Sequence, residues 1–103
     1  MKFTNENGVL TIFLEGSISS LNVQAFEQDI QEILAAHPGT KVVYEASALS
    51  YVSSAGLRMF LMLQKKAANP ITICEVPPEV YEIFTLTGFT KIMDIRKKMR
   101  QIS

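Results

Sequence analysis

The stretch Lys41-Val-Val-Tyr-Glu-Ala-Ser-Ala-Leu-Ser-Tyr-Val-Ser-Ser-Ala-Gly-Leu-Arg58 changes character as it is read. Its opening, Lys41–Ala46, holds Val42, Val43 and Tyr44, the β-branched and aromatic residues that suit a strand. Ser47 to Val52 reads as a loop carrying apolar anchors, and Ser53 and Ser54 then open a helix. That helix is predicted to run to about Ala68, where Asn69-Pro70 ends it. Leu57, Phe60, Leu61 and Ala68 mark its core side, while Arg58, Met62 and Lys65 fall on another, with Met59 and Lys66 beside them.

A strand that hands over to a helix is half of a β-α-β unit, and the flanking sequence supplies the rest. Downstream, Ile71–Val76 is a strand, and Pro77-Pro78 launches another helix with Pro at or near its first position. Val80, Ile83, Phe84 and Thr87 share one side of that helix, and Gly88 suits a left-handed position just past its end. Phe89 to Ser103 then gives a connector with Ile92 and Ile95 inward, followed by a terminal helix. Upstream, Asn7-Gly8 is a turn signal between Lys2–Asn5 and Val9–Leu14, so an antiparallel hairpin leads the chain. Between hairpin and strand, a helix from about Asn22 to Ala36 places Val23, Phe26, Ile30, Ile33 and Leu34 on one stripe. Ser19, Ser20 and Asn22 offer alternative N-caps, and Pro38-Gly39 stops it. The order is β-β-α-β-α-β-α-α. Strands separated by single helices predict parallel neighbours. The fold class is therefore α/β: a mixed sheet of four or five strands with about four helices mostly on one face.

Composition bounds the partners. With 48% hydrophobic and 19% charged residues over 103, the chain suits one globular domain spanning residues 1–103. Ten basic residues balance ten acidic ones, so the broad cationic field of a nucleic-acid binder is missing, and no nucleic-acid partner is expected. Arg96, Lys97, Lys98 and Arg100 make the C-terminus locally basic, as expected either of a solvated helix end that carries cations or of a contact with an acidic partner. No apolar run reaches the ~20 residues that span a bilayer, and no signal peptide is visible behind Met1. With Cys74 the only cysteine, no internal disulfide can form, and a reducing, cytoplasmic location without membrane insertion is expected.

Parts for catalysis are few. His37 is the only histidine and sits before Pro38-Gly39, the place of a helix-end cap rather than a general base. Cys74 falls mid-strand between Ile73 and Glu75, as filler rather than nucleophile. Glycines 8, 16, 39, 56 and 88 never cluster, so no phosphate-cradling motif can be written. No enzyme activity, metal or cofactor is expected.

The distinctive segment is the helix start. A serine there meets free backbone N–H groups and the positive end of the helix dipole, which accept a hydroxyl cap and tolerate a phosphate. Ala55-Gly56 is a small pair that would leave the backbone open to close approach by another protein. Met59 and Met62 are either adaptable interface residues or peripheral core, and the sequence leaves both open.

The run Leu49-Ser-Tyr-Val-Ser-Ser-Ala-Gly-Leu-Arg-Met-Phe-Leu61 resembles the signature of STAS domains, specifically the stand-alone bacterial anti-sigma factor antagonists. Leu14-Glu-Gly-Ser-Ile18 and Val80-Tyr-Glu-Ile-Phe-Thr-Leu-Thr-Gly-Phe89 are similar to the family in the same order, so the resemblance covers essentially the whole chain. It implies a STAS-like fold and a protein that binds an anti-sigma factor, often a serine-protein kinase, and is switched off by phosphorylation. It implies Ser54 as phosphoacceptor, with Ser53 as second candidate, and a PP2C-type phosphatase that restores the free serine. The family commonly has Asp before the acceptor, where this chain has Ser53, and Ser or Thr after it, where this chain has Ala55. The implied contact surface is Ser53, Ser54, Ala55, Gly56, Arg58, Met59, Met62 and Lys65, with a weak homodimer as a further association. The alternative within the same resemblance is a non-switching STAS adaptor subunit of a transport or signalling complex.

Overall fold

Asn7 and Gly8 both take positive φ, 52° and 77°, which is the geometry of a two-residue hairpin turn. The turn joins β1 (Phe3–Glu6) to β2 (Val9–Ile18) in an antiparallel pair. The computed structural model describes residues 1–99. After the hairpin come α1 (Val23–Ala36), β3 (Lys41–Val52), α2 (Ser54–Lys66), β4 (Thr72–Val76) and α3 (Pro78–Leu86). A 3-10 turn, Phe89–Lys91, then leads into β5 (Asp94–Lys97).

The five strands lie in the order β1-β2-β3-β4-β5, with every pair after the first parallel. Because the order never reverses, connections of the one favoured hand put all the helices on the same face. Burial agrees. Leu10, Ile12 and Leu14 of β2 are fully buried, whereas Val9, Thr11 and Phe13 on the other face are only partly covered. The covered face makes one core with Ile30 and Ile33 of α1, Phe60 and Leu63 of α2, and Val80 and Phe84 of α3. Phe60 and Phe84 meet edge to face at 5.7 Å, and Phe84 stacks on Phe89 at 5.8 Å, which ties α2, α3 and the 3-10 turn together.

Two elements differ from the sequence reading. Ser47–Val52 is not a loop but the second half of β3, alongside the end of β2. Phe13 faces Glu45, yet Ser17 faces Tyr51, so four steps along β2 match six along β3. The two extra residues are bulges, one of them beside Gly16 at φ 78°. They stretch the spacing of buried residues from two (Tyr44, Ala46) to three (Ala46, Leu49, Val52), which hides the strand period.

The second correction concerns the terminal helix, and with it the count of four. Residues 94–97 form strand β5, which covers the open edge of β4. Asp94 N–H donates to the Ile71 carbonyl at 2.9 Å and Lys98 N–H to that of Val76 at 2.8 Å. Met93 is buried and Ile95 packs on the core, whereas Ile92, expected inward, is exposed. The cations Arg96 and Lys97 belong to this edge strand; Arg100 and the residues after it lie outside the described ones.

A third irregularity falls in β4, where Glu75 adopts φ 56° between Ile73 and Val76. A non-glycine side chain in that region costs about 1–2 kcal/mol. Glu75→Gly is expected to stabilise the protein by about 0.5–1 kcal/mol after glycine's own entropy loss, roughly a 3–6 °C rise in Tm by calorimetry. A fall in Tm would mean that the Glu75 side chain contributes more than its backbone strain costs.

Candidate functional site

Helix α2 starts where β3 ends, and two serines divide the work there. Ser53 is extended (φ −79°, ψ 173°), and its Oγ accepts from the Gly56 N–H at 3.2 Å. Its own N–H donates to the Ile18 carbonyl at 2.8 Å, and its carbonyl accepts from Leu57 at 2.9 Å. Ser53 is therefore the N-cap and a rivet between the ends of β2 and α2. Ser54 is the first helical residue and exposed, and its hydroxyl makes no hydrogen bond among the described residues. No acidic residue stands in the first turn of α2, so the positive end of its dipole is not offset locally.

Gly56 lies underneath. A Cβ at this position would sit 2.8 Å from Val52 Cγ1 and 2.9 Å from Ile18 Cγ2. Both neighbours are β-branched and stiff at χ1, so they cannot easily step aside. Gly56 is buried and faces the strand ends, which corrects the expectation that its bare backbone is open to a partner.

The other expected surface residues separate in the same way. Met59 is 2% exposed and belongs to the core, because it lies on the helix side turned toward the sheet. Met62, four-tenths exposed at 43%, lies on the outer side with Arg58 and Lys65. Ala55 is partly covered. Ala68, expected on the core side, lies beyond the end of α2 and is exposed, while buried Leu63 takes that place. The accessible set is thus Ser53, Ser54, Ala55, Arg58, Met62 and Lys65.

Two residues that the sequence reading did not select stand at the same end of the sheet. Tyr51, in register with Ser17, is 52% exposed, and Leu21, three residues past Ile18, is 96% exposed. Leu21 sits in a turn pinned by Asn22, whose Oδ1 accepts from Ser19 N–H at 2.8 Å and whose Nδ2 donates to the Ser17 carbonyl at 2.8 Å. Tyr51 read as an anchor because it lies in an apolar run; the bulges of β3 turn it outward.

The remaining chemical candidates are dispersed. His37 caps the C-terminal end of α1, with Nδ1 2.9 Å from the Ile33 carbonyl and its ring edge-on to Phe3. Cys74 is half-buried in β4, and burial, then the nearby Glu45 and Glu75 carboxylates, push its thiol up, away from the reactive thiolate. Among the described residues no three His, Cys, Asp or Glu side chains gather where they could hold a metal ion, and no helix is long and apolar enough to cross a membrane.

Comparison with known proteins fits this geometry. The sequence model of the STAS domain matches residues 1–102. The chain belongs to the STAS domain family. A relative, BtrV of Bordetella bronchiseptica, provisionally named an anti-sigma factor antagonist, is 33% identical, the match covering 92% of this chain and 85% of BtrV. A Thermotoga maritima structure with a similar provisional name superposes at TM-score 0.82 with 13% identity, over 95% of this chain and 86% of that one. An anti-sigma factor antagonist from Mycobacterium paratuberculosis superposes at 0.77 with 23% identity, over 92% and 82%. Those two likenesses show the shared fold.

Among the described residues the strand order β1-β2-β3-β4-β5 does not reverse, so the sheet has no topological switch point there. Removing the cap with Ser53→Ala is expected to cost about 1 kcal/mol in urea denaturation, whereas Ser54→Ala changes stability by less than about 0.5 kcal/mol. Gly56→Ala, which forces Cβ onto Val52 and Ile18, is expected to cost about 1–3 kcal/mol.

Proposed function

We propose that this STAS domain is a non-enzymatic, cytoplasmic anti-sigma factor antagonist that binds an anti-sigma factor through the start and outer side of α2. In the finer form of the reading, the partner is a serine-protein kinase that phosphorylates Ser54 and so ends the contact, and a PP2C-type phosphatase restores it. The observation that carries the proposal is the free, exposed Ser54 hydroxyl directly beside a Ser53 that already supplies the cap. Modification of Ser54 leaves the cap intact, so it can alter the surface without unfolding the helix. The names given to the relatives support the same role.

The physics of the switch follows from that position. A phosphate brings about −1.5 to −2 charge and several acceptor oxygens. On Ser54 it would lie at the positive end of α2, with the exposed Arg58 one turn along the same helix. Both attract it. The phosphorylated domain would keep its fold while Arg58 is drawn away from any partner carboxylate and the contact face gains negative charge. Leu21, Tyr51 and Met62 supply the exposed apolar area of the contact, with Arg58 and Lys65 at its rim. Ser53 does for the cap what the family's usual Asp would do, since the two are comparable N-caps.

The test is capture of partners from the source cell with wild type, Ser54→Ala and Ser54→Asp, with mass spectrometry of bait and partners. An anti-sigma kinase retained by wild type and Ser54→Ala, and bound at least about tenfold more weakly by Ser54→Asp (about 1.4 kcal/mol), is the expected result. The Tm of Ser54→Asp should stay level or rise slightly, because Asp at a helix start gains about 0.3–1 kcal/mol. Met62→Asp is expected to lose the partner with an unchanged Tm. Capture of a transporter ATPase whatever stands at residue 54 would overturn the switch and leave the non-switching adaptor.

A further inference from the structure

At the far end of α2 from Ser54, a cavity of about 210 Å³ opens between α1, β3 and α2. Its walls include Leu34, Leu63 and Ile71, which make most of it apolar. Three polar side chains also line it: Gln31 of α1, Tyr44 of β3 and Lys66 at the last turn of α2. The Gln31 Nε2 is buried with no hydrogen-bond partner among the described residues. Tyr44 is 2% exposed, and burial pushes its hydroxyl up to about 12, so it remains an O–H donor across the physiological range. No acidic side chain lines the space. A buried, unpartnered amide N–H and a buried phenol on an apolar hollow, with the exposed Lys66 side chain also lining it, are what a single anionic acceptor would satisfy, since an unpaired buried donor costs free energy until a partner is found.

We propose that this cavity is a binding site for a short aliphatic carboxylate. Its oxygens are taken by the Gln31 amide, the Tyr44 hydroxyl and the Lys66 ammonium, and its chain lies against Leu34, Leu63 and Ile71. The size sets the class: 210 Å³ is room for roughly seven non-hydrogen atoms at the ~30 Å³ each water takes in the liquid, which is a carboxylate of about five carbons. The proposal does not rest on the partner-binding role, because no residue of the Ser54 surface lines the cavity.

The experiment is an amide NMR titration of the full chain with sodium pentanoate, alongside pentylammonium chloride at equal ionic strength. Saturable shifts at Gln31, Tyr44, Lys66 and Ala67, in the millimolar range usual for so small a ligand, and a concentration-dependent rise in Tm are expected. Pentylammonium should give neither. Gln31→Leu and Lys66→Ala should each weaken pentanoate about tenfold, as loss of a bond to a charged acceptor does. Gln31→Leu should melt no lower than wild type, because it removes an orphaned donor and keeps the volume. No saturable shift up to about 50 mM, equal binding of the ammonium, or undiminished affinity in both variants would overturn the assignment.

Discussion

The bare backbone at Gly56 lets α2 settle directly onto the ends of β2 and β3, within the space that any Cβ would take from Ile18 and Val52. That close approach is what brings the Ser53 N–H onto the Ile18 carbonyl and its Oγ onto the Gly56 N–H. The helix start is then fixed from the strand side and from its own first turn at once. Phe60 and Leu63, further along the same side of α2, are consequently set into the core that α1 and α3 complete. A helix held at its first turn projects its outer side in a fixed direction. Such rigidity suits the contact proposed for this side of α2, because little ordering remains to be done on contact.

Much of this was legible in the residues. The helix stripes of α1 and α3 obey a 3.6-residue period, and the Asn7-Gly8 turn and the Pro-rich entry to α3 are signals with a direct steric cause. The second half of β3 was not legible, because two bulges replace the two-residue alternation of Tyr44 and Ala46 with three-residue steps to Leu49 and Val52. No period of two or of 3.6 survives there. β5 was missed for another reason: its four residues are too few to show a period, and its cations resemble those of a helix end. Only the unpaired edge of β4, a fact of the assembled sheet, calls for a strand there.

The site divides along similar lines. Serines at a helix start can be read from sequence, but which one caps and which one is free depends on the phase of the helix relative to the sheet. The same phase decides that Met59 is core while Met62 is surface, three residues apart on one helix. Gly56 looked like an opening for a partner, and it is instead the point where the helix comes down. Leu21 and Tyr51 carry no signal at all in sequence, since an apolar residue in an apolar context reads as buried.

The outermost strands bear on how the protein behaves in a crowded cell. A sheet with two open edges is a template on which further chains can stack, and long flat edges seed aggregation. Here β1 and β5 are each only four residues long. On the β5 side, Arg96, Lys97 and Lys98 stand exposed in succession, with Asp94 held by Arg96 at 2.8 Å. Two copies approaching β5 to β5 would bring Lys97 and Lys98 of each, in excess of the Asp94–Arg96 pair, against the other, and mutual repulsion opposes the pairing. Charge on the basic segment thus opposes edge-to-edge stacking of the sheet.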